Sequence, residues 1–244
     1  IVGSNVANLS LVMGVAVLIT RLDVSRGVLR REAPLSLFGV LLFAALVQHG
    51  LTRWEGVVLL TCLVAALTWI IAAGRNHSPD DPDIAHEVEE FVADGQLRLA
   101  VEVPRTLLGL VGTVISAQIL IEGALGVSQQ MGLAEGFVGL TIVAIGTSLP
   151  ELATSIQAAR KGEHDLIVGN LLGSNLFNSL AVGGVVSLAG PGPITDTSLT
   201  MLAASLMVVI AVLATVFLAT ERRLRRWEGM TLLAIYLGSI PFLA

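Results

Sequence analysis

Glu151 is the single charged residue in the apolar stretch from Gly136 to Ala159. The chain around it reads Gly146-Thr147-Ser148-Leu149-Pro150-Glu151. A carboxylate at membrane depth costs about 2.5–3.5 kcal/mol on insertion, so its presence there marks a functional site. Pro150 offers no N–H and its ring disrupts the helical ladder. It therefore predicts a helix break at the carboxylate, with the Gly146 carbonyl left unpaired. A second polar motif, Gly173-Ser174-Asn175-Leu176-Phe177-Asn178, recurs at the start of the chain as Gly3-Ser4-Asn5-Val6-Ala7-Asn8. Thr147 and Glu151, Ser174 and Asn178, and Ser4 and Asn8 are each four residues apart, so each pair shares a helix face. Broken backbone survives at membrane depth only where it lines a cavity or is buried in protein. Carboxylate, hydroxyls, amide oxygens and freed carbonyls form an all-oxygen donor set. That suits a hard cation: calcium takes 6–8 oxygens at about 2.3–2.6 Å. No His or Cys cluster offers softer ligands, so zinc and copper fit poorly.

The elements that must carry these residues are membrane helices. The chain has 244 residues, 54% hydrophobic and 14% charged, against roughly 25% charged in a soluble domain. Mean hydropathy is +0.83. Charge-free runs cover Ala33–Thr52, Gly56–Gly74, Thr106–Ile121, Leu166–Thr195, Thr197–Thr220 and Gly229–Ala244. Ile1–Thr20 and the Glu151 stretch complete eight predicted spans, each near the 17–25 residues a span needs. Ala33–Thr52 is the weakest, because Pro34, Gln48 and His49 erode its ends.

Charge supports this count. With the first span running from outside to inside, the inner loops carry 13 of the 14 Lys and Arg, and Arg53 alone falls outside. That is the positive-inside pattern, and it places the protein in the cell (inner or plasma) membrane as a multi-pass chain with its C-terminus extracytoplasmic. The net charge of −5 comes largely from Ser78–Leu97, which holds seven acids and no Lys or Arg. Nothing basic suggests a nucleic-acid partner; the partners implied are cations and the lipid bilayer. Oligomeric state leaves no mark on the sequence. One cysteine, Cys62, excludes an intrachain disulfide. Residues 1–20 lack the basic n-region of a signal peptide.

The chain repeats itself. Residues 3–14 and 173–184 match at six of twelve positions, and residues 53–60 (RWEGVVLL) and 226–233 (RWEGMTLL) at six of eight. The offsets are 170 and 173. The repeated motifs open the first and sixth spans, and an odd separation reverses direction, so the repeat is inverted. Inverted repeats with discontinuous helices and a midplane site are the mark of secondary transporters. The predicted organisation is a first half over residues 1–74 with three helices, an acidic cytoplasmic linker over 75–98, and a second half over 99–244 with five helices. Shifting Glu151 by the same offset leads to a position before Ile1. The reading is therefore of eight helices out of an expected ten in an all-α integral membrane protein, a bundle of two inverted repeats.

Gly146-Thr147-Ser148-Leu149-Pro150-Glu151-Leu152 together with Gly173-Ser174-Asn175-x-Phe177-Asn178 closely resembles the second signature repeat of the calcium/cation antiporters, specifically the prokaryotic sodium/calcium exchangers. Gly3-Ser4-Asn5-x-x-Asn8 resembles the second part of the first repeat. The resemblance covers essentially the whole chain. It implies ten helices in two inverted halves, a diamond of ion sites between them, and no cofactor: calcium and sodium are transported substrates. By position it implies that Glu151 is the central carboxylate for both ions. Thr147 and Ala144 supply hydroxyl or backbone oxygens, with Ser148 the adjacent hydroxyl. Ser174 and Ser4 are outer sodium ligands, and Asn8 is the mid-site amide. Asn178 stands where some members carry aspartate, and a neutral amide can neither supply charge nor take a proton. That departure opens a proton- or potassium-coupled alternative.

Competing readings are simpler. Ser148 and Ser174 could bond backbone carbonyls, and Gly3, Gly14, Gly173, Gly183 and Gly184 could permit close helix packing. Asn5 and Asn175 are expected to hold the helix break. Glu122 and Glu135 sit at outer helix ends, and Trp54 and Trp227, followed by Glu55 and Glu228, fit an interfacial belt. The acidic linker lacks the spacing and glycine of an EF-hand. Asn76-His77-Ser78 matches a glycosylation sequon on the cytoplasmic side and is set aside. A passive channel is disfavoured because its ligands would ring a symmetry axis. A hydrolase would need a second carboxylate, Cys or His at the depth of Glu151. An inactive remnant remains a further alternative, since the first-half carboxylate is not in the chain. The expectation is an antiporter, not an enzyme.

Overall fold

The computed structural model describes residues 1–48, 50–75, 138–194, 198–220 and 222–243, with scattered positions between 104 and 130. The linker, the Asn76 sequon, Glu135 and most of Thr106–Ile121 lie outside the described residues.

Helical rods dominate. The first runs from α1 (Val2–Ala7) through a π-turn (Asn8–Val12) into α2 (Met13–Ile19). The short strand β1 (Leu22–Asp23) leads to α3 (Arg26–Leu46), and α4 (Arg53–Arg75) follows. A π-turn over Gly139–Val143 opens α5 (Ala144–Thr147), which Ser148 separates from α6 (Leu149–Lys161). Then come α7 (His164–Phe177), a π-turn (Asn178–Val182) and α8 (Gly183–Ala189). A last π-turn (Ser198–Ala203) precedes α9 (Ala204–Ala219), β2 (Arg223–Leu224) and α10 (Arg226–Leu243).

Among the described residues four rods are long and apolar enough to cross a membrane: Val2–Ile19, Arg53–Ala72, His164–Ala189 and Met201–Ala219. At 1.5 Å per residue they match a hydrocarbon core of about 30 Å. Two predicted boundaries shift. α3 starts at Arg26, not Ala33, because Ser25 caps it by accepting from the Val28 N–H at 3.3 Å. It ends at Leu46, so Pro34 lies inside its third turn. The break near Glu151 also moves. It falls at Ser148 (φ −94°, ψ 1°), and Pro150 occupies the first turn of α6, where its missing N–H costs little.

The inverted repeat is built into the contacts. Leu22 pairs with Leu224 in an antiparallel bridge, and Leu51 pairs with Gly192 in another. Shifting 22 by 170 gives 192, and shifting 224 back by 173 gives 51. The same operation relates two close helix crossings. A Cβ on Gly14 would stand 3.0 Å from the Gly229 carbonyl, and one on Gly56 would stand 2.9 Å from the Gly184 carbonyl. Glu55 and Glu228 are likewise equivalent. Glu55 accepts from the Thr52 N–H at 2.6 Å, and Glu228 from the Arg225 N–H at 2.7 Å. These glutamates cap α4 and α10, a role missed when they were read only as neighbours of interfacial tryptophans.

Side chains fill the space between rods. Met13, Leu59, Ile167, Leu171, Leu180, Met207, Ile210 and Leu218 are fully buried, while Val64, Leu67 and Ile71 on α4 point outward. Gly183 meets the Phe43 ring, and Gly184 meets Leu60. Gly173 meets nothing and borders a cavity, so it is not a packing glycine.

The Gly56 crossing is tight against backbone, which cannot rotate away. Gly56→Val is expected to lower stability by about 1–3 kcal/mol through overpacking. Gly27→Ala, whose Cβ would find only Ser25 Oγ at 3.5 Å, should be close to neutral in the same thermal-unfolding measurement.

Candidate cation site

The predicted site residues fall on the three interrupted rods that carry the repeated motifs. Ser148, the hinge between α5 and α6, is 2% exposed, with its backbone in the sparsely populated bridge region. Glu151 then lies in the first turn of α6, where the free N–H groups and the helix dipole favour a negative charge. The π-turns begin at Asn8 in the first rod and at its equivalent Asn178 in the α7–α8 rod. Such wide turns release backbone bonds locally and are frequent at functional sites.

Glu151 Oε1 accepts from the Ser174 hydroxyl at 3.3 Å. Glu151 Oε2 is buried without a hydrogen-bond partner. A cavity of about 350 Å³ is lined by Glu151, Ser174 and Asn178, with Gly169, Asn170, Gly173 and Phe177. Ser4 and Thr147 join the two halves through a 2.8 Å hydroxyl contact. The Thr147 hydroxyl also reaches the Val143 and Ala144 carbonyls at 3.0 and 3.1 Å. The Ala144 carbonyl further accepts from the Ser148 N–H at 3.1 Å, so both its lone pairs are engaged. Asn8 donates to Asn175 Oδ1 at 3.1 Å, leaving its own Oδ1 buried and unpartnered, as is Ser148 Oγ. Ser4, Asn8, Thr147, Ser148 and Ala144 do not line the cavity.

Asn5 and Asn175, both fully buried, cross-link the rods. Asn5 donates to Ser179 Oγ at 2.9 Å, and Asn175 to the Asn5 carbonyl at 3.3 Å. As the first rod runs from Asn5 to Asn8 its partners run from Ser179 back to Asn175, so the rods are antiparallel. Two residues escaped the sequence reading. Asn170 donates to Thr154 Oγ1 at 3.3 Å and borders the same cavity. Their signal was spacing: Asn170 is one turn before Ser174, and Thr154 three residues after Glu151. Among the described residues no three His, Cys, Asp or Glu side chains gather. One carboxylate among neutral oxygens remains the donor set.

These features define a class: a helical membrane protein with an oxygen-lined cavity where inverted, interrupted helices meet. The chain belongs to the sodium/calcium exchanger protein family, whose model matches residues 1–72 and 104–244. It is thus a membrane cation antiporter of a transporter family. It is 37% identical to the putative antiporter CaxA of Alkalimonas amylolytica, over 97% of this chain and 74% of that protein. It is 36% identical to the inner membrane protein YrbG of Escherichia coli, over 79% of this chain and 59% of that one. Its structure matches the sodium-calcium exchanger NCX_Mj soaked with sodium and strontium, with a TM-score of 0.74 and 25% identity over 98% of this chain and 74% of that one.

Glu32, in the first turns of α3 ahead of the charge-free run, places Oε2 2.9 Å from where a Cβ would stand on Gly169, at the edge of the cavity. Burial raises its carboxyl above the ordinary 4.5, Asp165 adds to the rise, and Arg31 opposes it. A raised acid favours the folded state below its unfolded pKa, and that contribution is lost as pH rises through the folded value. Glu32→Gln should therefore raise thermal stability relative to the parent at neutral pH, with the difference vanishing below pH 4.5. Equal pH profiles for the two proteins would refute it.

Proposed function

We propose that this chain exchanges calcium for sodium across the cell membrane by alternating access, with Glu151 as the ligand for which both ions compete. The observation that carries the reading is a set of buried, unpartnered oxygens: Glu151 Oε2, Ser148 Oγ and Asn8 Oδ1. Leaving a buried polar atom without a partner costs about 1–3 kcal/mol, more for a charge, and a bound cation repays it. Each atom is an acceptor, as a hard cation requires. Ser174 and Ser4 serve as outer sodium ligands, Thr147 and Ala144 contribute a hydroxyl and a carbonyl, and Asn178 completes the cavity wall beside Glu151. Ala144 joins the ligands only when the Thr147 hydroxyl turns away, so its part belongs to one step of the cycle. The family membership and the likeness to a solved sodium-calcium exchanger support this reading.

Competition for one carboxylate makes transport an exchange. Neither ion leaves Glu151 uncompensated, since a bare charge at this depth is costly. Sliding of the first rod and the α5–α6 rod against the remainder would open each side in turn. The arginine asymmetry puts the β1–β2 end in the cytoplasm and the C-terminus outside.

Asn178 supports a second reading, coupling to protons, because among the described residues it leaves Glu151 as the one titratable group lining the cavity. Calcium-45 uptake into proteoliposomes with outward sodium, potassium or proton gradients separates the two. Uptake driven by sodium alone is expected. Uptake driven by protons alone would select the second reading, and uptake without any gradient dependence would indicate a channel. Glu151→Gln should reduce exchange to background while its elution and unfolding profiles match the parent. Full activity in that variant would overturn the assignment of Glu151.

A further inference from the structure

At the β1–β2 end lies a second cavity, about 540 Å³ and open to the surface, larger than the one beside Glu151. Arg21 lines it from the turn between α2 and β1, Arg223 from β2, Arg225 from the residue before α10 and Arg226 from the start of α10, with Asp23, Leu224 and Trp227 completing the wall. Four arginines and one carboxylate thus share its lining. Arg223 Nε donates to Asp23 Oδ1 at 2.6 Å across the strand clasp, and among the lining residues arginines outnumber carboxylates. Trp227 stands edge-on to Phe217, ring centroids 5.6 Å apart, and is 52% exposed.

The inverted repeat supplies an internal control. By the repeat offsets, the positions at the opposite end equivalent to this lining are Pro191, Pro193, Gly50, Leu51, Thr52, Arg53 and Trp54. Its bridge, Leu51 to Gly192, forms in the same way. The clasp and the tryptophan are therefore common to both ends, while three of the four arginines are particular to one. Backbone pairing does not need them. Charge asymmetry between the two faces would be met by arginines anywhere in these loops. It does not require that loops about 200 residues apart in sequence turn them into one cavity.

We propose that this cavity binds the phosphate of an anionic phospholipid headgroup. Guanidinium forks match phosphate oxygens in charge and geometry. Basic pockets between helices on the cytoplasmic side hold such headgroups. An exposed tryptophan at the same level marks the headgroup layer, which favours a lipid over a free anion. The bound lipid would bridge the two ends of the chain, adding to the β1–β2 clasp. This inference does not depend on which ions the Glu151 site carries.

The test is thermal unfolding of the purified protein in detergent, titrated with a short-chain phosphatidylglycerol, the matching phosphatidylcholine, or inorganic phosphate. Phosphatidylglycerol is expected to raise the midpoint saturably and phosphatidylcholine is not. In an Arg21→Gln/Arg226→Gln variant the apparent affinity should fall about tenfold, as loss of charge-assisted bonds implies. Arg53→Gln, at the equivalent place on the other end, should respond like the parent. Equal responses to both lipids, inorganic phosphate as effective as the lipid, or an unchanged response in the double variant would each overturn the proposal. Should the double variant misfold, native mass spectrometry of Arg21→Gln and Arg226→Gln singly, counting retained phosphatidylglycerol, decides the same point: undiminished retention in both would overturn it.

Discussion

The organising constraint is the cost of an unpaired polar group inside a bilayer. Among the described residues the rods depart from regular helix at a few places: the hinge at Ser148 and the wide turns opening at Gly139, Asn8, Asn178 and Ser198. Backbone irregularity in hydrocarbon is tolerated only against protein or a cavity. Three of the buried oxygens left without a hydrogen-bond partner, on Asn8, Ser148 and Glu151, lie at or beside these interruptions. On the proposed reading, a bound cation replaces the partners missing there.

The inverted repeat provides a symmetric frame for asymmetric chemistry. Bridges, glycine crossings and glutamate caps recur at both ends with constant offsets. Asn5 and Asn175, themselves equivalent, clasp the antiparallel rods at the centre. Function then departs from the frame. Ser174 donates to Glu151 while its equivalent Ser4 meets Thr147, and arginines crowd one clasp while prolines occupy the other. A duplicated scaffold with unequal decoration is what a transporter needs to present two different faces to two compartments.

If the proposed ions bind here, the donor set explains why few residues suffice. Neutral hydroxyls and amides bind hard cations weakly, so ions can leave as well as arrive. One carboxylate supplies the charge that makes desolvation worthwhile.

Much of this was legible in the sequence. Composition and charge-free runs reveal membrane rods because the bilayer dictates their length, and a lone glutamate in apolar text marks the candidate site because nothing structural would put it there. The Gly-Ser-Asn and Arg-Trp-Glu-Gly echoes reveal the inversion. Other features required three dimensions. Pro150 suggested a break at its own position, but a proline is at ease in a helix's first turn, and the interruption settled at Ser148. Thr52-x-x-Glu55 was a visible capping box that an apolar reading passed over. Asn170 and Thr154 carried only helical spacing, which is uninformative until two rods are known to face each other. The arginines looked like a loop statistic because cavities form between segments distant in sequence. The sequence by itself determined which groups lie at membrane depth, since insertion cost acts on composition. Tertiary structure decided which oxygens remain unpaired and which charges converge, since both depend on how the rods cross.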